Sequence, residues 1–252
     1  MPDVSASHAR GVAVVTGAAR GIGEAIALRL AEDGLDVAVF DLPQNCEKLE
    51  ILVAAIREKG GRALAVYGDV SLEADVVSLV ERTVQVLGGI DVMVANAGIF
   101  SMDPIVDLSV EQFEKIMAVN TRGVLLALKY AGREMIKQGR GGRIVAAASW
   151  GAKQGLPNMA AYCASKFAVR GLVQSAALEF RQHDITVNGY APGLIITQMT
   201  TMPEDEMNGG PASTALKAAG LPGNTKPGTP AEVAALVSYL ASPAARFTTG
   251  TL

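Results

Sequence analysis

At 252 residues, half of them hydrophobic, the chain is long enough for one large core, and α/β folds of this length commonly form one domain. A formal net charge of −3 offers no electrostatic case for nucleic acid or an anionic membrane surface. No apolar run approaches the ~18 residues of a membrane span, and Met1 to Arg10 has no signal-peptide core, so a cytoplasmic protein is expected.

Cys46 and Cys163 are too few for a disulfide framework, and His8 and His183 stand in no metal-ligand spacing. No metal and no histidine triad are expected.

Val12 to Thr16 is a short apolar run followed by Gly17-Ala18-Ala19-Arg20-Gly21-Ile22-Gly23 and a helix with Ile22, Ile26 and Leu30 on one face. Strand, glycine turn and helix form the context of a dinucleotide-binding loop, although a tight turn without a ligand reads the same way. Glycines let the backbone approach a pyrophosphate, and the helix N-terminus supplies free N–H groups. Val37 to Phe40 is a second strand ending at Asp41, where an acid can accept hydrogen bonds from a ribose diol and repel a 2′-phosphate. Asp41 therefore favours NAD; Arg20, a cation in the loop, pulls toward NADP.

Leu49, Leu52, Val53 and Ile56 mark a helix stopped by Gly60-Gly61, and Ala63 to Tyr67 a third strand running into Asp69-Val70. Ser71 is a candidate cap for the next helix, whose Val76, Val80, Val84 and Leu87 form a buried stripe. Ile90 to Val94 reads as a fourth strand ending at Asn96-Ala97-Gly98. Alternating strands and helices call for a parallel sheet covered on both faces.

Ser109 to Gln112 reads as a capping box opening a long helix that continues to about Ile136. Asn120 inside it is a mediocre helix former, which suggests either a local distortion with a purpose or plain exposure.

Ile144 to Ala148 reads as a buried strand with Ser149 at its end, and Met159 to Phe180 as a helix. Tyr162 and Lys166 then lie one turn apart on one face. A cation within about 4 to 6 Å favours the phenolate and would bring the Tyr162 hydroxyl, ordinarily near ~10, toward efficient proton transfer. A Y-x-x-x-K pair alone is equally well a surface contact.

Ile185 to Tyr190 is the sixth strand, broken by Ala191-Pro192-Gly193. Residues 194–228 lose periodicity among prolines and glycines, Pro222-Gly223 included, and read as a substrate-binding flap whose methionines suit an adaptable apolar wall. Thr229-Pro230-Ala231-Glu232 restarts a helix with a capping box and a proline at its first position, and Thr248 to Leu252 reads as the start of another strand.

Thr16-Gly17-x-x-x-Gly21-Ile22-Gly23, Asp69-Val70, Asn96-Ala97-Gly98, Asn120, Ser149, Tyr162-x-x-x-Lys166, and Pro192-Gly193 followed by Thr197 are each weak alone. In this order the chain resembles the short-chain dehydrogenase/reductase family from Val12 to Leu252. Asp91 to Val94, Phe167 to Gly171 and Asn188 to Gly193 look most like acetoin reductases and 2,3-butanediol dehydrogenases.

The resemblance implies a single Rossmann-like domain, a doubly wound parallel sheet of six to seven strands. It implies NAD, with NADP possible, held by Gly17, Arg20, Gly21 and Ile22 at the pyrophosphate, Asp41 at the adenosine ribose, and Asp69 and Val70 at the adenine. Asn96, Tyr162 and Lys166 would lie at the nicotinamide ribose, Ile195 and Thr197 would contact the carboxamide, and Pro192 and Gly193 would also bind the cofactor.

Catalysis would use Asn120, Ser149, Tyr162 and Lys166. Tyr162 moves the proton, Lys166 lowers its pKa, Ser149 orients the carbonyl, and Asn120 fixes a water joining the site to solvent. Ser149, Trp150 and Tyr162 would contact a small alcohol or ketone, and Trp150, where relatives carry a smaller or polar residue, would reshape the pocket or simply pack in the core. A homotetramer or homodimer is expected. Relatives finish with a strand ending in Asp-Gly-Gly, so the chain is expected to be clipped or disordered at its end; Ala95 replaces a second asparagine found in many relatives. A 3-oxoacyl-carrier-protein reductase and a non-catalytic dinucleotide sensor or scaffold are the rival readings; Asp41 opposes the first, and an undamaged tetrad opposes the second.

Overall fold

The computed structural model describes residues 11–218, 220–222 and 224–252; His8, with the rest of the first ten residues, and Gly223 lie outside the described residues. Six strands, β1 (Val12–Thr16), β2 (Asp36–Asp41), β3 (Ala63–Tyr67), β4 (Val92–Ala95), β5 (Gly142–Ala147) and β6 (Ile185–Tyr190), form one sheet in the order β3-β2-β1-β4-β5-β6. Every pairing is parallel. Each strand must therefore be followed by a crossover, and helices supply it.

Successive strand side chains point to opposite faces, so continuous apolar strands feed two cores. Ala13, Val15, Val37 and Val39 face α1 (Gly21–Glu32), α2 (Cys46–Glu58) and α9 (Pro230–Ala241). Val12, Val14, Ala38 and Phe40 face α3 (Glu73–Leu87), α5 (Gly123–Gln138) and α6 (Ala160–Phe180). The buried face of α2 is Leu49, Leu52, Val53 and Ile56, as the periodicity requires. Each such side chain contributes about 1.5–3 kcal/mol on burial.

Several expectations are corrected. Ser71 does not cap α3: its N-cap is Leu72, without a side-chain bond, and the Asp75 carboxylate instead reaches back to the Asp69 N–H at 2.8 Å. A carboxylate in the first turn thus organises the preceding loop, a long-side-chain option that a capping reading overlooks. The long helix is three pieces: α4 (Val110–Met117), a wider π turn over Ala118–Arg122, and α5. At its start Ser109 accepts from the Gln112 N–H, which is half of a capping box. The fourth strand begins at Val92, two residues later than periodicity suggests.

Segment 194–228 is less irregular than expected. It contains α7 (Asp205–Asn208) and α8 (Ser213–Ala218), and its ends meet where Ile195 pairs with Gly228. Both helices are too short to show a 3.6-residue period. Thr229 and Glu232 form the reciprocal capping box at α9. The chain end runs beside β6, with the Gly250 N–H on the Val187 carbonyl and the Gly189 N–H on the Thr251 carbonyl, both 2.8 Å, without forming a seventh strand. Among the described residues no helix is long and apolar enough to cross a membrane.

Candidate active site

The chain leaves β1 and β4 toward opposite sides although the two strands are neighbours, and this switch point opens a crevice beyond their carboxyl ends. Gly17, Asp41, Asp69, Asn96, Ser149 and Pro192 all stand at or just beyond strand ends on this side.

Gly17 has φ +66°, and a Cβ there would lie 2.8 Å from the Ala97 Cα; one on Gly23 would lie 2.1 Å from the Gly17 carbonyl oxygen. Only glycine permits this compact cradle at the start of α1, whose first N–H groups have no partner within the helix. Asp41 leans on the same loop: its carboxylate accepts from the Ala19 N–H (3.0 Å), the Leu42 N–H (2.8 Å) and the Asn45 amide (2.7 Å). Arg20 is exposed and donates to Gln198 at 2.9 Å, tying the loop to segment 194–228. A Cβ on Gly21 would lie 3.4 Å from Thr197. A cradle that any side chain would fill, at a helix N-terminus and beside a carboxylate, fits a dinucleotide.

Asp69 accepts from the Ser71 N–H at 2.8 Å, and Val70 is buried against Gly123. Asn96 is occupied from all sides. Its amide nitrogen donates to the Thr16 and Gly17 carbonyls (2.9 and 3.1 Å), its oxygen accepts from the Tyr190 hydroxyl (2.7 Å), and its own N–H donates to the Thr16 hydroxyl (3.0 Å). Its side chain is thus a structural pin between β1, β4 and β6.

Asn120 is fully buried in the π turn, which settles its two readings in favour of the distortion. Its side-chain oxygen accepts from the Ile99 N–H (2.9 Å), and its nitrogen donates to the Ile99 carbonyl (2.8 Å) and the Ser165 hydroxyl (3.0 Å). A π turn widens the helix and redirects its carbonyls, a geometry frequent at functional sites. Asn120 and Lys166 flank Gly98: a Cβ there would lie 3.3 Å from the Asn120 oxygen and 3.5 Å from the Lys166 Nζ.

Ser149 ends the extended stretch after β5, and its Oγ accepts from the Gly151 N–H at 3.1 Å. Tyr162 stands beside it: a Cβ on Gly151 would lie 3.6 Å from the Ser149 Oγ and 3.5 Å from the Tyr162 ring. Lys166 is buried, donates to the Ala147 carbonyl at 2.8 Å and places its Nζ 5.5 Å from the centre of the Tyr162 ring. All four tetrad residues therefore converge.

Their electrostatics differ from expectation. Burial raises the Tyr162 phenol above its ordinary pKa, and the polar Ser149 side chain works against that rise. Burial also pushes Lys166 down, to about 8. Desolvation penalises both charged forms, so in this structure proximity to a cation does not set the direction for the phenol.

A cavity of about 170 Å³ opens above the pair, bordered by Ser149, Tyr162, Trp150, Ile22, Ile195 and Thr197, with Pro192 and Gly193 beside them. Trp150 is therefore a wall residue and not a core filler. Phe100, which meets the Tyr162 ring edge-on at 6.4 Å, Met102, Leu156 and Leu221 also line it and carried no sequence signal.

Residues 11–208 match the family described as short chain dehydrogenase. The chain is 48% identical over 246 residues to the short-chain dehydrogenase/reductase eriH of Hericium erinaceus, covering 96% of this chain and 94% of that protein. It is 40% identical over 248 residues to the L-2,3-butanediol dehydrogenase of Corynebacterium glutamicum, covering 95% and 94%. A solved short chain dehydrogenase from Mycobacterium paratuberculosis, bound to NAD, superposes with a TM-score of 0.85 at 30% identity, covering 96% of this chain and 94% of that one. With glycine cradle, π-turn asparagine, serine, tyrosine and lysine in one crevice, the chain belongs to the short-chain dehydrogenase/reductase family and is an NAD(P)-dependent oxidoreductase acting on CH–OH groups.

Proposed function

We propose that the enzyme interconverts a secondary alcohol and a ketone at Asn120, Ser149, Tyr162 and Lys166, with NAD favoured over NADP. The observation that carries this reading is that Ser149 and Tyr162 border one cavity, with the buried Lys166 ammonium 5.5 Å from the centre of the tyrosine ring. A bound nicotinamide supplies or accepts the hydride. Ser149 orients the substrate oxygen, and Tyr162 gives that oxygen its proton in reduction and takes it in oxidation. Lys166 offsets the phenolate charge once the proton has left. Asn120, held rigid by Ile99 and Ser165, fixes a water that joins the site to solvent.

Gly17, Gly21 and Ile22 would hold the pyrophosphate, with Arg20 nearby, and Asp41 the adenosine ribose, where its charge opposes a 2′-phosphate. Asp69 and Val70 would flank the adenine, Ile195 and Thr197 would contact the carboxamide, and Pro192 and Gly193 would also bind the cofactor. Segment 194–228 acts as the substrate flap, a reading supported by Thr197, Met199 and Met202 on the cavity wall. The enzyme works in the cytoplasm as a homotetramer or homodimer; exposed Val110, Phe113, Leu125 and Phe167 on α4, α5 and α6 support self-association.

Tyr162→Phe tests the reading. It keeps dinucleotide binding, measured by calorimetry, and lowers kcat by at least ~100-fold. Near-normal turnover in that variant refutes the assignment.

A further inference from the structure

We infer that the substrate is an uncharged, hydrocarbon-rich cyclic ketone or secondary alcohol whose single oxygen sits at Ser149 and Tyr162; this rests on the dehydrogenase reading above. The cavity walls are Phe100, Met102, Trp150 and Leu156 on one side and Met199 and Met202 on the flap side. Among the described residues that line it there is no charged side chain and no side-chain amide.

Its other hydroxyls are committed. Thr200 Oγ1 donates to the Ile195 carbonyl at 2.6 Å and lies 3.3 Å from Thr197 Oγ1. Ser149 and Tyr162 are thus left as the polar centre of an otherwise apolar chamber. Lys226 borders an adjoining, more open pocket beyond Trp150 and Leu221, not this one.

Two consequences follow for a ligand. Each additional hydroxyl would lose its water and find no partner, weakening binding by roughly tenfold or more. A carboxylate or phosphate would fare worse, since no cation stands among the described residues that line the chamber. Volume sets the scale: an apolar cavity of ~150 Å³ stays dry and accepts benzene. The chamber's space of about 170 Å³ would be shared with the nicotinamide at Ile195 and Thr197, so it suits a substrate no larger than a single ring. Flexible methionines on the flap side can adjust to ring substituents.

The test keeps one skeleton and varies its polarity: 4-methylcyclohexanol, myo-inositol and 4-hydroxycyclohexanecarboxylate, with 2,3-butanediol as a small diol, each with NAD and NADP. We expect kcat/KM for 4-methylcyclohexanol to exceed that for the inositol and the carboxylate by at least ~100-fold, and that for butanediol by at least ~10-fold. Trp150 is the chain's only tryptophan and lines the chamber, so its fluorescence reports binding without turnover. The Tyr162→Phe protein should show a saturable change with 4-methylcyclohexanone and none with inositol.

Trp150→Ala should lower kcat/KM for the ring alcohol by about tenfold, chiefly through KM, and Met202→Ser should act in the same direction if the first variant does not fold. Oxidation of the polyol, carboxylate or diol while the ring compound neither binds nor reacts overturns this inference and leaves the dehydrogenase reading standing. Ring binding without oxidation of any probe by either cofactor supports the chamber and overturns the dehydrogenase reading. Neither binding nor turnover overturns both.

Discussion

Asn96→Ala should be among the most damaging single changes outside the tetrad. The amide bonds to the Thr16 and Gly17 carbonyls are worth about 1 kcal/mol each, or ~2 kcal/mol together. The third partner matters more. Tyr190 is buried, and without the Asn96 oxygen its hydroxyl is left unpaired, at a cost of about 1–3 kcal/mol. The expected loss is thus ~3–5 kcal/mol, a large share of the ~5–15 kcal/mol typical of a domain.

A double-mutant cycle separates these parts. Tyr190→Phe alone should cost about 1–2 kcal/mol, because it strands the Asn96 oxygen. In the Asn96→Ala background the same change should cost nearly nothing, since the hydroxyl it removes already lacks its partner. Urea unfolding of the four proteins measures all of these quantities. A coupling below ~0.5 kcal/mol, with Asn96→Ala itself below ~1 kcal/mol, would refute the assignment of Asn96 as a pin between β1, β4 and β6.

Lys166 makes stability depend on pH in a stated direction. Its folded pKa is about 8, below the ordinary lysine value of 10.5, so between those values the unfolded chain holds a proton that the native protein has lost. Stability therefore rises with pH across that window, by at most about 1.4 kcal/mol per unit, and the full cost of the buried ammonium remains below pH 8. Lys166→Met should flatten this slope, and parallel unfolding midpoints for variant and parent from pH 8 to 10 would contradict it.

Asp41→Ala should reduce the preference for NAD over NADP by about tenfold or more, read from KM for both cofactors; an unchanged ratio makes Asp41 a loop support only. Asp205 accepts from the Met202, Thr214 and Ala212 N–H groups, which hold its carboxyl well below the usual range. Asp205→Ala should speed proteolytic cutting within 202–214 by about tenfold at neutral pH. Acid should loosen the parent segment only once the pH falls far below ordinary carboxylate values.

Much of this molecule is legible in one dimension where a local pattern has a local cause. The α2 stripe, the bounds of β3 and β6, and the Thr229–Glu232 capping box all follow from periodicity or from neighbours three or four residues apart. Asn120 is an instructive middle case: a poor helix former signals distortion, but the partners that justify it, Ile99 and Ser165, lie 21 and 45 residues away. Ser71 shows the converse, a plausible cap displaced by a carboxylate four positions on. The flap helices escape notice because neither reaches two full turns.

Sequence by itself determined the parallel sheet and most of its alternating strands and helices, and it pointed to the candidate reacting residues, because hydrophobic period, glycine spacing and motif order are properties of adjacent positions. Tertiary structure decided how those residues behave. Burial, not the neighbouring ammonium, sets the direction of the Tyr162 pKa. Asn96 is consumed by a tyrosine 94 positions away. The chamber is walled by residues from Ile22 to Leu221. Desolvation, hydrogen-bond satisfaction and cavity shape arise only when distant segments meet, and no local pattern encodes the sum of those contacts.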